Sequence, residues 1–207
     1  MGYNGGVDFP RRLFLNTETK QGDAPVLFVG DDPALDFINT AYGVDEGHDH
    51  FVNDASVVDW LKQAGMLSDE HGEAAYKGLL DSALELRAAG RKLVEQRQAG
   101  QWANPAVLNR ILALGSHHLE LQWKKGGEPA LVPKQTNRDA AAVLLPVADA
   151  LARLLAETDF ALVRKCECDD CTLLFRDRTK SRRRRWCSMA LCGNRMKVAA
   201  FRARQKG

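Results

Sequence analysis

The sequence predicts an α+β protein in two parts: a mostly helical N-terminal domain with a few short strands over residues 1–160, and a small metal-stabilised module over residues 161–207. Three observations carry this prediction. Apolar residues recur at helical spacing through the first part, in segments opened by capping residues. All five cysteines, Cys166, Cys168, Cys171, Cys187 and Cys192, fall in the second part. The charge divides at the same place. Residues 164–207 hold 14 Lys/Arg against 4 Asp/Glu, although the whole chain carries only +2. An acidic body therefore precedes a basic tail with the character of a polyanion-seeking segment.

The elements follow in chain order. Residues 11–16 and 26–29 are rich enough in apolar residues for two short strands, separated by a polar turn. Asp32-Pro33 supplies an N-cap and a proline suited to the first helical turn, so a helix over residues 33–42 follows, burying Leu35 and Ile38. Residues 42–54, rich in Gly, Asp and His, form a loop. Ser56 caps a helix to about Ala64, with Val57, Trp60 and Leu61 on one side and Gly65 at its end. Ser68 opens a longer helix to about Arg97, where Leu79, Ala83, Leu86, Gly90 and Leu93 step along one face. Asn104-Pro105 repeats the cap-and-proline signal before residues 106–114. Residues 119–123 and 129–132 flank a Lys-Lys-Gly-Gly-Glu turn and read as a hairpin. A last helix runs from Asp139 to about Glu157, with a kink expected at Pro146.

The cysteines point to metal. An odd number, clustered, without a secretory signal over residues 1–10, fits no disulfide framework. Two close pairs joined by a short loop suit tetrahedral zinc, which four thiolates saturate. On spacing alone the first pair is either Cys166 with Cys171 or Cys168 with Cys171. Cys187 and Cys192 are about 500° apart around a helix, so Cys187 precedes the helix and Cys192 sits in or before its first turn. Some 45 residues bury too little surface to fold unaided. Leu173, Leu174, Phe175, Trp186, Met189, Leu191 and Phe201 are the expected miniature core, with one structural zinc per chain supplying the rest of the folding free energy.

The run Leu173-Leu174-Phe175-x-Asp177, followed by Arg184-Arg185-Trp186-Cys187-Ser188-Met189-x-x-Cys192-Gly193-Asn194-Arg195-x-Lys197, resembles the CGNR zinc finger. That resemblance implies a treble-clef-like module with Cys166, Cys171, Cys187 and Cys192 as ligands, leaving Cys168 spare. The rest resembles the ABATE domain of bacterial stress-induced transcription regulators. The matching residues are Ala34-Leu35-Asp36-Phe37-Ile38-Asn39-Thr40, Trp60-Leu61 with Gly65-Met66-Leu67, and Leu145-Pro146-x-Ala148.

These features bound the function. Arg182, Arg183, Arg184 and Arg185 form an unbroken run, and Arg195, Lys197, Arg202 and Arg204 make two stripes on the final helix. Two basic surfaces joined by zinc can straddle a phosphate backbone, with the helix in the major groove. A DNA-binding regulator is the favoured expectation; the alternative is an RNA-binding or protein-docking zinc module. Asp36, Asn39 and Thr40, near the His48-Asp49-His50 loop, are candidates for a polar pocket holding a small-molecule ligand, although backbone hydrogen bonding also accounts for them. Trp60, Trp102 and Trp123 read as packing residues. No phosphate loop, nucleophile elbow or zinc-protease motif appears, so no enzyme is expected. With no apolar run near the roughly 20 residues of a membrane span, the expectation is a cytoplasmic protein. A homodimer is expected from the symmetry of operators.

Overall fold

The computed structural model of the protein describes residues 26–43, 47–67, 76–115, 117–123, 128–135 and 139–205. The strand expected over residues 11–16 and the helix start expected at Ser68 lie outside them. Helix α1 (Pro33–Ile38) begins as its sequence dictates. The Asp32 carboxylate accepts from the Ala34 amide at 3.1 Å, and Pro33 occupies the first turn. It ends four residues earlier than expected. Asn39 caps it, and the Thr40 hydroxyl donates to the Phe37 carbonyl at 2.8 Å, drawing the chain out of the helix. Ala41–Tyr42 (β1) then pairs antiparallel with His48–Asp49 (β2), inside the segment expected to be all loop.

Helix α2 (Asp54–Gln63) has Asn53, not Ser56, as its cap. Asn53 accepts from the Ser56 amide at 2.9 Å, and the Ser56 hydroxyl accepts from the Asn53 amide at 3.2 Å, a reciprocal capping box. Asp54 also anchors the start of the long helix α3 (Leu79–Gln98), accepting from Gly78 at 3.1 Å and Leu80 at 2.7 Å. The predicted apolar face of α3 is buried. A Cβ at Gly90 would stand 3.0 Å from Leu151, so glycine there permits the close approach of α5.

Helix α4 (Ala106–Ala113) follows, with Asn104 accepting from the Ala106 amide. The hairpin is longer than expected: β3 (His117–Gln122) pairs with β4 (Ala130–Gln135). A 3-10 turn (Ala140–Leu144), capped by Asp139, leads into α5 (Leu145–Glu157). Pro146 causes no kink within a continuous helix. It sits in the first turn of α5, where its missing N–H has no partner to lose, and the tighter turn precedes it.

The body's core gathers on α1, with Leu35, Phe37, Ile38, Trp60, Leu86 and Leu151 almost wholly excluded from solvent. Trp60 meets Phe37 edge-on at 5.4 Å. Trp102 and Trp123, expected to pack, are instead 81% and 70% exposed.

The C-terminal module comprises a hairpin of β5 (Val163–Lys165) and β6 (Leu174–Arg176), a π-helical turn (Met189–Gly193) and α6 (Asn194–Gln205). The cores are exchanged at the seam. Val163 and Leu174 of the hairpin lie in the body's core. Leu27, Val29 and Tyr42 pack instead with Leu173, Phe175, Leu191 and the cysteines. Residues 26–29, expected as a strand, run without strand pairing; the nearby Gly30 carbonyl accepts from Arg176 at 2.8 Å. Met189 and Phe201, expected in the miniature core, are 50% and 55% exposed. The N-terminal residues have taken the core positions assigned to them.

Candidate metal centre and basic surface

Cys166 follows β5 and Cys171 precedes β6, so the hairpin brings the first pair together. The Cys166 amide donates to Leu173 at 2.9 Å, and the Cys171 amide closes a tight turn onto Cys168 at 3.0 Å. Cys187 approaches from the other strand of chain, its amide donating to the Cys166 sulfur at 3.3 Å. Cys192 lies in the π turn, where the Ser188 hydroxyl accepts from the Leu191 amide at 3.0 Å. A Cβ at Gly193 would fall 2.9 Å from the Trp186 ring and 2.5 Å from the movable Met189 sulfur, so glycine lets this turn lie close against Trp186.

The sulfurs of Cys166, Cys171, Cys187 and Cys192 all lie within 4.8 Å of one another, and all four residues are buried. None is in a disulfide. Bonds of about 2.3 Å to a tetrahedral zinc would space the sulfurs roughly 3.8 Å apart. The observed Cys187–Cys192 and Cys171–Cys187 separations of 3.5 and 4.0 Å suit that geometry. Hydrogen bonding to neighbouring sulfurs holds the Cys166 thiol far below its usual value, while the bond with Cys166 drives Cys187 and Cys192 far up. Four thiolates this close need a cation to ionise together, and the donor set fits one structural zinc.

Cys168 stands outside this group. It is buried, donates to Asp170 at 3.3 Å and accepts from Arg195 at 2.8 Å. Burial pushes its thiol up, against the pull of Arg195.

The predicted basic residues separate into two sets. Arg184 turns inward: its guanidinium lies 4.3 Å from the Phe175 ring centre, donates to Trp186 and Val29 at 2.9 Å, and also bonds the Cys187 carbonyl and Asp31. Arg195 is held by both oxygens of Asp170, at 2.7 and 2.5 Å. Arg185 stacks on Trp186 and donates to Glu167 at 2.5 Å. By contrast Arg182, Arg183, Lys197, Arg202 and Arg204 are exposed and form no ion pair among the described residues. Arg178 and Lys180, which sequence reasoning passed over, extend the exposed set along the same loop. That loop is organised by Asp177, fully buried. It accepts from Thr179 through the amide at 3.0 Å and the hydroxyl at 2.6 Å, and from the Arg184 amide at 2.9 Å. Burial alone would raise the Asp177 carboxyl; these bonds and nearby Arg164 outweigh it and hold the group below the ordinary carboxylate value.

Asp36, Asn39 and Thr40 are brought together, but their polar atoms face the protein. Asp36 accepts from the Gly30 amide at 2.7 Å. Asn39 donates to the Leu174 carbonyl at 2.7 Å and accepts from its amide at 2.9 Å. Thr40 accepts from Arg87 at 3.0 Å. Asn39 stitches body to finger, Asp36 and Thr40 bond within the body, and no sequence signal distinguishes these roles from a ligand pocket. An open cleft of about 570 Å³ lies instead beside them, bounded by Tyr42, His48, Arg91, Glu95, Lys165 and Thr172.

With this geometry in view, two family models match the chain. The ABATE model, described as a putative stress-induced transcription regulator, matches residues 31–158, and the CGNR zinc finger model matches residues 163–205. No curated protein matches the chain. No helix among the described residues is long and apolar enough to cross a membrane.

Proposed function

This chain belongs to the ABATE family, and from that premise we propose that it is a transcription regulator that binds DNA through its zinc-stabilised C-terminal finger. Cys166, Cys171, Cys187 and Cys192 hold the zinc, which supplies folding free energy and no chemistry. The observation that carries the reading is the exposed set Arg182, Arg183, Lys197, Arg202 and Arg204, with no ion pair among the described residues, displayed from a loop and a helix that the cysteine cluster joins. Phosphates are the partner such a surface fits, because each contact releases condensed counterions.

In this reading the body receives the signal. A small molecule in the cleft between Arg91 and Lys165 would touch body and finger at once. Arg91 there donates, among the described residues, to backbone carbonyls alone, at 3.2 to 3.4 Å, and burial lowers its pKa. A homodimer would present two such fingers to a symmetric site.

A salt titration of the zinc-loaded full chain on duplex DNA tests the proposal. Replacing Arg182 and Arg183 by Gln should flatten the slope of log K against log salt by about 1.8. Absence of duplex binding at about 50 mM salt would overturn it, leaving the protein-docking alternative, and tighter binding to single-stranded RNA would move it to the RNA alternative.

A further inference from the structure

Helix α6 has no buried residue and no acidic one, and it packs chiefly on the turn before it. Two of its three large apolar residues are wet, Val198 at 48% exposed and Phe201 at 55%, while Met196 packs against the finger's core. They share a row with two exposed amides, Asn194 and Gln205. Positions i, i+4, i+7 and i+11 lie within an arc of about 60° around a helix. Arg202 falls on one side of that row, Lys197 and Arg204 on the other, roughly 65–95° from its centre. The row is therefore amide, apolar, apolar, amide, between flanks of cations that make no ion pair among the described residues.

We infer that α6 reads A·T base pairs in the major groove through Asn194, Val198, Phe201 and Gln205. This rests on the DNA-binding reading above and deepens it. Each part of the row has a chemical counterpart on that surface. A carboxamide matches adenine, donating to N7 and accepting from the N6 amino group, and an apolar side chain packs on the thymine C5-methyl group. The cations on the two flanks meet phosphates on opposite walls of the groove, which at about 12 Å admits one helix. Cytosine presents only its amino group there, so a carboxamide can make one bond to it and no bidentate pair, and a G·C pair offers no methyl group to an apolar side chain. The absence of any Asp or Glu from α6 removes the charge that would repel this approach. Arg195 takes no part, because Asp170 and Cys168 hold it against the finger.

The experiment uses the full zinc-loaded chain and three 24-base-pair duplexes of the same length: alternating A·T, the same duplex with uracil replacing every thymine, and alternating G·C. Wild type should bind A·T about tenfold tighter than G·C, and uracil, lacking the methyl group, should weaken binding several-fold. Phe201→Ala and Val198→Ala, at exposed positions that leave the core intact, should each shrink the uracil penalty without changing the salt slope. Asn194→Ala should reduce the A·T preference in the uracil duplex as well. Equal binding to all three duplexes overturns the inference while leaving DNA binding in place. Binding to none overturns the DNA reading itself. If sedimentation shows an oligomer that Phe201→Ala dissolves, with base discrimination unchanged, a second copy covers the row and the inference is wrong.

Discussion

On the side of the finger that meets the helical body, Arg184 is bonded to Asp31, Val29 and Cys187, and Arg176 lies 3.5 Å from Asp32. On the outward side Arg182, Arg183, Arg202 and Arg204 reach solvent with no ion pair among the described residues. Both groups come from the same basic stretch, and Arg182 to Arg185 are consecutive. What separates them is the backbone. Arg182 adopts a left-handed φ of 51°, its amide donates to Thr179, and the next turn aims Arg184 inward over Phe175. A stretch of net charge thus serves two purposes, one cohesive and one available to a partner, and the two are separable by mutation.

The largest effect should come from the metal. Structural zinc contributes on the order of 10–16 kcal/mol in small zinc modules. Cys187→Ser should abolish zinc binding and unfold the finger, whereas Cys168→Ser should keep the metal. Because Leu27, Val29 and Tyr42 pack among the cysteines, the Cys187 variant should also lower the melting temperature of the body. Metal analysis with thermal unfolding checks both, and an unchanged body transition would mean the shared core is not cohesive.

Next in size, Arg184→Gln removes four charge-assisted bonds and should cost about 3 kcal/mol of stability, while the salt slope for DNA moves by much less than for Arg182 and Arg183. A slope change near 0.9 would place Arg184 among the phosphate contacts and blur the two faces. Asn39→Ala strands the buried Leu174 amide and carbonyl and should cost about 2 kcal/mol, read by denaturant unfolding. It tests whether the seam is held by polar pairing as well as by apolar burial.

A pH effect comes from the body's side of the seam. Burial, helped by Asp31 and Asp32 nearby, pushes the Asp36 carboxyl up to about 7 from an ordinary 3.8, against the Gly30 amide bond. The folded chain therefore holds this proton more tightly than the unfolded one. The resulting stabilisation is complete below about pH 4 and is lost as pH rises through about 7. Asp36→Asn should flatten the stability profile across that window; an unchanged profile would mean the carboxyl is ionised throughout. The smallest effect on stability belongs to the outward face. Arg202→Gln and Arg204→Gln should each stay within about 0.5 kcal/mol of wild type in unfolding, while each lowers the DNA salt slope by about 0.9.

Much of this architecture is written locally. Asp32-Pro33 and Asn104-Pro105 mark helix starts within a residue or two, the step of Leu79, Ala83, Leu86 and Leu93 marks a buried face, and two spaced cysteine pairs mark the metal cluster. Local chemistry also explains a near miss: Asn53 and Ser56 both favour caps, and their reciprocal bonding makes Asn53 the cap and Ser56 its partner. The seam is a different matter. Asn39 and Leu174 are separated by 135 residues, and nothing in either neighbourhood records the other. For the same reason the arginine run carries no mark of which members turn inward, since that depends on Asp31 and Val29 far upstream. Met189 and Phe201 look like core residues by composition, yet they lie outside, and the finger's core is completed by Leu27, Val29 and Tyr42 from far upstream.

The long separation across the seam has a consequence during synthesis. Residues 26–42 leave the ribosome well before the cysteines that complete their packing. At about 5–20 residues per second, Asn39 precedes Leu174 by roughly 7–27 s. Throughout that interval the nascent body carries Leu27, Val29 and Tyr42 with no finger to cover them. Translation speed and zinc supply together should then set how much chain reaches the native state and how much is caught by chaperones or aggregates. A shortage of zinc during growth would be felt as a defect in the yield of the whole protein.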